Sequence, residues 1–284
     1  METGDRRPAT DDRPATDRRP ATDRDAAVIV IENLVAAYEE HVVLRDINVR
    51  VSHGERLFIV GGSGCGKTTL LRHMIGLQRP ASGHVWVLGE DIGGGAEEAL
   101  DRVHRRIGVS FQGGALFASL TLGQNIALPL EEYTSLPPAT IERLVRMKLS
   151  MVKLAGYEDF MISELSGGMK KRAALARAVA LDPGILFFDE PSAGLDPVTS
   201  AELDELILQV NQSLGTTIVV VSHELSSIFT VASRVIMLDG GTRSVIAEGD
   251  PRELRDHSTD ERVRGFFNRQ PGPAFRGRRK TDVR

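Results

Sequence analysis

The chain of 284 residues has little of several features that mark other classes of protein. It contains one cysteine, which excludes an intrachain disulfide and disfavours a cysteine-based metal site, as in a reducing compartment. Its apolar runs fall short of the roughly 20 residues that cross a bilayer, and its N-terminus is charged rather than an apolar signal segment. Lysine and arginine number 35 against 39 acidic residues, so a net charge of −4 gives no general attraction to nucleic acid. We therefore expect no nucleic-acid partner, and any membrane work to be done through another protein.

The composition is otherwise ordinary for a folded protein, with 41% hydrophobic and 26% charged residues. The exception is the N-terminus, where residues 5–24 repeat the sequence Arg-Pro-Ala-Thr-Asp and hold no large apolar side chain. This repeat predicts a disordered tail over residues 1–25. A docking or phosphorylation segment through Thr10, Thr16 and Thr22 is the functional alternative.

Hydrophobic periodicity divides the rest of the chain into strands and helices. Short β-branched runs at 28–31, 42–51 and 57–60 predict a β-rich opening. Helical spacing of apolar residues appears at 67–77 and over much of 121–181, most clearly at 140–154 and 169–181. Apolar strands at 185–188, 217–221 and 235–238 then alternate with helical patterns at 199–214 and 225–233. That alternation predicts an α/β fold with a parallel sheet.

A glycine-rich loop lies between an apolar strand and a helix. It consists of Gly61, Gly62, Ser63, Gly64, Cys65, Gly66, Lys67 and Thr68, and it matches the pattern G-x-x-x-x-G-K-[ST]. Glycines let backbone N–H groups curl around phosphates, and the positive end of the helix favours the same negative charge. We expect Lys67 to reach the β- and γ-phosphates of a nucleotide and the Thr68 hydroxyl to bind Mg²⁺, while Thr69 completes the first helical turn.

Cys65 occupies a variable position of this loop. We interpret it as an ordinary filler, because nothing nearby except the helix end would activate a thiolate. The alternative hypothesis is that alkylation of Cys65 blocks nucleotide binding.

Two further segments have the residue types that phosphate chemistry requires. The apolar run 185–188 ends in Asp189 and Glu190, and the carboxyl end of a buried strand is where open α/β sheets bind ligands. We expect Asp189 to hold Mg²⁺ through water, and Glu190 to orient or deprotonate the attacking water. Ser166, Gly167 and Gly168 open a helix and leave free N–H groups at its positive end, which is either a second phosphate site or a plain helix cap.

Taken in order, these segments resemble the motif series of ABC transporter ATPases. The matching segments are 61–68, Gln112, 165–169, 185–190, 192–196 and His223. The resemblance covers roughly residues 28–250 and implies a P-loop NTPase with a RecA-like parallel-sheet core, an N-terminal antiparallel β-subdomain and a helical signature subdomain. It places an ATP-binding domain at 26–255, with the helical subdomain at about 118–182, and a C-terminal extension with a basic tail at 256–284.

The resemblance also assigns roles residue by residue. It implies that Tyr38 stacks on adenine, that Gln112 touches Mg²⁺ and faces a membrane partner, and that His223 contacts the γ-phosphate. It further implies that Ser166, Gly167 and Gly168 grip the γ-phosphate bound to the opposite subunit, and that Asp196 belongs to a loop crossing between the two sites. Lys67, Gln112, Glu190 and His223 are then the catalytic residues of a homodimer that holds two ATP molecules head to tail.

A closer likeness lies in residues 111–117, 163–169, 172–177 and 260–266, which resemble the ATPases of Mla/Mce-type lipid transporters of diderm bacteria. This subgroup implies that the complex transports phospholipid between the inner and outer membranes. It also implies that the ATPase is bound peripherally at the cytoplasmic face of the inner membrane. The implied partners are an integral-membrane permease (MlaE-like), an MCE-domain protein (MlaD-like) and a small STAS-type subunit. The tail from Asp260 through Pro273 and Phe275 also resembles this subgroup, which implies a C-terminal extension that packs on the neighbouring subunit. Within this tail we expect an amphipathic helix at 262–267.

Other functions stay open at this point. Another cargo, such as a lipoprotein or a small solute, would use the same nucleotide site. A soluble ABC protein acting on DNA or ribosomes would need a second cassette or a long coiled coil, and the sequence shows neither. A nucleotide sensor without turnover is disfavoured by Glu190, which supplies a catalytic carboxylate. The basic residues Arg276, Arg278, Arg279 and Lys280 could touch anionic lipid, or form a solvated tail.

Overall fold

A computed structural model describes residues 27–39 and 41–270 of the chain. The repeat segment and the basic end lie outside these residues, and so do our predictions for Thr10, Thr16, Thr22, Arg276, Arg278, Arg279 and Lys280. The described strands are β1 (Ala27–Tyr38), β2 (His41–Ser52), β3 (Arg56–Gly61), β4 (Ser82–Val87), β5 (Glu90–Asp91), β6 (Ile107–Ser110), β7 (Ile185–Asp189), β8 (Thr217–Val221), β9 (Arg234–Asp239) and β10 (Ser244–Gly249). The described α-helices are α1 (Lys67–Met74), α2 (Glu97–His104), α3 (Leu122–Tyr133), α4 (Pro138–Met151), α5 (Gly167–Ala178), α6 (Pro197–Leu214), α7 (Leu225–Val231), α8 (Pro251–His257) and α9 (Glu261–Phe267).

The strands form two sheets of different character. The first is antiparallel, with the order β2-β1-β4-β5. Strand β2 alternates buried Ile47, Val49 and Val51 with exposed neighbours, as expected for a strand with one solvated face. The predicted antiparallel β-subdomain is therefore present, and β1 continues seven residues beyond the predicted run, to Tyr38.

The second sheet has the order β10-β9-β3-β8-β7-β6. Its strands from β9 to β6 pair in parallel, and only β10 pairs antiparallel, at the edge next to β9. Strands β7 and β8 are buried at every residue, because helices cover both faces of the sheet. The predicted parallel α/β sheet is confirmed.

Helices α3, α4 and α5 form the helical segment between β6 and β7. Thr121 caps α3 through a capping box with Gln124, and Pro138 begins α4 at a position where its missing N–H costs nothing. Apolar residues of all three helices share one core with β7 and α6, including Ile126, Leu149 and Leu175. The division of the chain at residues 118 and 182 stays a prediction.

The chain after β10 packs on its own core. Val263 and Phe267 of α9 are buried, and the ring of Phe267 lies 5.9 Å from that of Phe229 in α7. The predicted helix at 262–267 is present as α9. Through Phe267 the extension contacts its own chain, whereas Pro273 and Phe275 lie outside the described residues. No helix among the described residues is both long and apolar enough to span a bilayer.

Candidate nucleotide site

The glycine-rich loop leaves the carboxyl end of β3 and begins α1, as the sequence predicted. Gly61 has a φ of 141°, and a Cβ there would lie 2.3 Å from the carbonyl oxygen of Leu238. Gly66 has a φ of 103°, and a Cβ there would lie 2.7 Å from the Leu44 side chain. A larger residue at Gly61 would clash with backbone, whereas one at Gly66 would displace a side chain and would need a φ that residues other than glycine rarely adopt. The Lys67 ammonium donates to the carbonyls of Gly61 and Gly62, both at 3.0 Å. It therefore lies over the glycine-rich loop, where the phosphates are expected to bind.

Thr68 and Asp189 meet between α1 and β7. The Thr68 hydroxyl donates to Oδ1 of Asp189 at 3.2 Å. Burial raises the pKa of Asp189, and the hydrogen bond from Thr68 opposes that rise. A hydroxyl and a carboxylate suit Mg²⁺, which keeps several waters and takes the rest of its ligands from phosphates. The described residues contain no cluster of three or more His, Cys, Asp or Glu side chains that would form a self-sufficient metal site. The hydroxyl of Thr68 and the carboxylate of Asp189 are a donor set that fits Mg²⁺.

Glu190 has a strained backbone and a well-placed side chain. Its φ of 50° lies in the left-handed region, which costs a non-glycine residue on the order of 1–3 kcal/mol. Its N–H donates to the Val221 carbonyl at 2.9 Å, and its own carbonyl accepts from the Ala193 N–H at 3.2 Å. These bonds hold the conformation that aims the side chain. Oε1 of Glu190 lies 2.9 Å from Nδ1 of His223, so the carboxylate orients an imidazole that is 68% exposed.

Lys171 joins this group, although we did not predict it from the sequence. Its ammonium donates to the Gln112 carbonyl at 2.6 Å and to the Glu190 carbonyl at 3.3 Å. Burial lowers the pKa of Lys171, while the charges of Glu190 and Asp189 act to raise it. In the sequence it sits in the run 170–172 of basic residues, which is typical of a solvated helix face, so no local pattern marks it.

A second group of predicted residues lies at the N-termini of α5 and α6. The Ser166 hydroxyl accepts from the Met169 N–H at 3.3 Å and so caps α5. A Cβ on Gly168 would lie 2.6 Å from the Thr199 side chain of α6, whereas one on Gly167 would meet nothing within 4 Å. Oδ1 of Asp196 accepts from the Thr199 N–H at 3.1 Å, and the hydroxyl of Thr199 lowers the pKa of Asp196. Ser166, Gly168 and Asp196 thus form one surface with the free N–H groups of α5, which attract anions.

Tyr38 lies at the end of β1 with 44% of its surface exposed. Its hydroxyl donates to Oε1 of Gln78 at 2.9 Å. Burial acts to raise the pKa of Tyr38, but hydrogen bonding to Thr69, Arg72 and Gln78 and the charge of Arg72 leave it below the usual value. The hydroxyl is thus fixed at one end while the ring is open to solvent, which suits stacking on a planar base.

A cavity of about 390 Å³ lies beside Glu190 and His223. Besides these two residues, Phe266 and Arg269 of the C-terminal segment line it. We did not expect this segment at the site, because more than seventy residues separate it from Glu190 and the family resemblance placed it against the neighbouring subunit.

Cys65 is 3% exposed, and burial raises the pKa of its thiol. A protonated, buried thiol is a poor nucleophile, which favours the interpretation of Cys65 as a filler.

Known proteins resemble this chain in sequence and in fold. Residues 44–193 match the sequence model of the ABC transporter family. The chain is 40% identical over 240 residues to the intermembrane phospholipid transport system ATP-binding protein MlaF of Haemophilus influenzae, covering 84% of this chain and 90% of that protein. It is 37% identical to the probable ribonucleotide transport ATP-binding protein mkl of Mycobacterium bovis, covering 90% of this chain and 70% of that protein. Among solved structures, the ATP-binding cassette MJ0796, a dimer in a post-hydrolysis state bound to ADP and Pi, superposes with a TM-score of 0.72 at 28% identity, over 78% of this chain and 98% of that one.

Proposed function

Since this chain belongs to the ABC transporter family and is one of its ATPases, we propose that it hydrolyses Mg-ATP to power phospholipid transport between two bacterial membranes. The identification of phospholipid as the cargo rests on the 40% identity to a phospholipid-transport ATPase along 90% of that protein's length. The observation that supports turnover is the bond between Glu190 and His223 beside the pair of Thr68 and Asp189.

The side chains divide the work of phosphoryl transfer. Lys67 neutralises the β- and γ-phosphates, and the backbone N–H groups of the glycine-rich loop bind their oxygens. Thr68 and Asp189, with Gln112, would hold Mg²⁺, which would supply Lewis-acid stabilisation of the negative charge that develops on the phosphates. Glu190 accepts a hydrogen bond or the proton from the attacking water, and His223 donates to the γ-phosphate. Tyr38 stacks on adenine and fixes the other end of the nucleotide.

The second group of residues acts on the nucleotide of a partner copy. Ser166, Gly167 and Gly168 present free N–H groups at the positive end of α5, and Asp196 borders them. Two chains placed head to tail would close these surfaces over each other's glycine-rich loops, so the homodimer contains two composite sites. One chain alone should then hydrolyse ATP poorly.

The ATPase dimer would drive a membrane permease from the cytoplasmic face of the inner membrane. The Gln112 loop is the segment 111–121 between β6 and α3. A cleft of about 490 Å³ that this loop helps to line would supply the docking surface, and its lining combines apolar residues such as Phe117 and Pro129 with the charged Glu132 and Arg177. An MCE-domain protein and a small STAS-type subunit complete the proposed complex. Binding of this chain to the membrane is then peripheral.

The test is reconstitution with the membrane protein that co-purifies with the full chain. We expect ATP-dependent movement of a fluorescent phospholipid between donor and acceptor vesicles, and no movement with Glu190→Gln. Because one relative is named for ribonucleotide transport, labelled ribonucleotide is the competing cargo in the same vesicles. Transport of ribonucleotide without phospholipid would reject the lipid assignment and leave the ATPase assignment intact.

A further inference from the structure

Lys171 connects two loops that approach the reacting phosphate from different directions. It lies in α5, one turn after the helix begins. Its ammonium is 2.6 Å from the carbonyl oxygen of Gln112, which is 59 residues away in sequence, and 3.3 Å from that of Glu190, which is 19 residues away. One side chain therefore ties the helical segment to both loops.

The bond to Glu190 acts on a backbone that needs support. Glu190 has a φ of 50°, and such a conformation persists only where the surroundings determine it strongly. Its other backbone partners, Val221 and Ala193, lie on the neighbouring strand and on the same loop. Among the hydrogen bonds described for the Glu190 backbone, the one from Lys171 is the only one that comes from the helical segment.

The neighbouring lysine shows that this contact is specific to one position. Lys170 has the same charge and a similar partial burial, yet the described residues give its side chain no hydrogen bond and no ion pair. General basicity of this helix turn does not explain the paired carbonyl contacts of Lys171. The length and direction of the Lys171 side chain explain these two contacts.

We propose that Lys171 is a positioning residue that joins the Gln112 loop to the backbone of Glu190, so that the aim of the catalytic carboxylate depends on where the Gln112 loop lies. The inference rests on the proposed function, in which Glu190 orients the attacking water and the Gln112 loop adjoins the permease. Displacement of that loop would move the Gln112 carbonyl that Lys171 binds. The ammonium would move with it, and its hydrogen bond to the Glu190 carbonyl would lengthen or break. Misplacement of a catalytic group by about 1 Å lowers a rate by roughly a hundredfold.

Substitution separates this role from simple packing. Methionine has a similar length and no donor, so Lys171→Met removes both carbonyl bonds while keeping most of the volume. Arginine keeps the charge and can donate to two carbonyls at once, so Lys171→Arg should restore most of the rate. Lys170→Met is the matched control.

The experiment measures steady-state ATPase of the full chain in complex with its co-purified membrane partner, together with ATP affinity in EDTA and the melting temperature. We expect Lys171→Met to lower kcat about tenfold to a hundredfold with little change in KM or ATP affinity. Lys171→Arg should recover at least half of the rate, and Lys170→Met should match the wild type.

Three results would overturn the inference. The first is a Lys171→Met variant with wild-type kcat, while Glu190→Gln is inactive. The second is a parallel loss of ATP affinity or of melting temperature in Lys171→Met, which would make the residue structural. The third is failure of Lys171→Arg to recover the rate. A wild-type complex that hydrolyses no ATP would instead reject the proposed function, and this inference with it.

Discussion

The buried carboxyl of Asp204 gives a stability prediction whose size follows from the structure. Asp204 lies in α6, is 5% exposed, and faces Ser227 and Glu224 near the start of α7. Burial raises its pKa from 3.8 to about 6, an effect that the Glu224 charge reinforces and the Ser227 hydroxyl opposes. The folded protein therefore holds the proton more tightly than the unfolded chain.

The sign of the effect follows from this difference. An acid whose pKa rises on folding costs nothing below its unfolded value and destabilises the folded state increasingly as the pH climbs toward its folded value. Each tenfold difference in proton affinity is worth about 1.4 kcal/mol, so ionised Asp204 costs about 3 kcal/mol near pH 8. Near pH 5 the same calculation gives about half of that.

Asp204→Asn removes the charge and keeps nearly the same side-chain shape. We expect the substitution to raise the free energy of unfolding by about 3 kcal/mol near pH 8 and by about 1.5 kcal/mol near pH 5, measured by urea denaturation. Glu205→Gln, an exposed change on the same helix, is the control and should be neutral at both pH values. A gain of equal size at both pH values, or a loss near pH 8, would refute the reasoning.

Three further outcomes follow from other contacts. Lys67→Ala should lower ATP turnover at least about a hundredfold, since one preorganised charge contact is worth about 3 kcal/mol; a turnover within tenfold of the wild type would contradict it. Phe267→Ala should lower the free energy of unfolding by about 3–5 kcal/mol, because the ring is buried against Phe229, and a urea midpoint equal to that of the wild type would show that α9 does not pack there in solution. Gln112→Ala should reduce the ratio of partner-stimulated to basal ATPase, and an unchanged ratio would remove Gln112 from coupling.

Local patterns predicted much of the fold and of the site. The glycine-rich loop, the strand that ends at Asp189 and the cap at Ser166 are each read from a few adjacent residues, because their geometry is set by backbone conformation and helix ends. The parallel sheet follows in the same way from apolar runs that alternate with helical spacing.

Contacts between distant segments were harder to predict. Lys171 contacts Gln112 and Glu190 only after three segments have folded together. The spacing of lysines along the helix does not indicate these contacts. Phe266 and Arg269 reach the cavity of Glu190 for the same reason. Strands β4, β5, β6 and β10 and helices α2 and α8 were missed because each has at most eight residues, so that neither a period of two nor a period of 3.6 is sustained for long.

The composite site between two chains is the central claim, and the mass of the Glu190→Gln variant tests it most directly. This variant should bind Mg-ATP without hydrolysing it, so the closed dimer persists. Light scattering should give the 30.9 kDa of one chain without nucleotide and twice that mass with Mg-ATP. An added Ser166→Arg change should abolish the doubling. A protein that stays at the single-chain mass while ATP is bound would contradict the account.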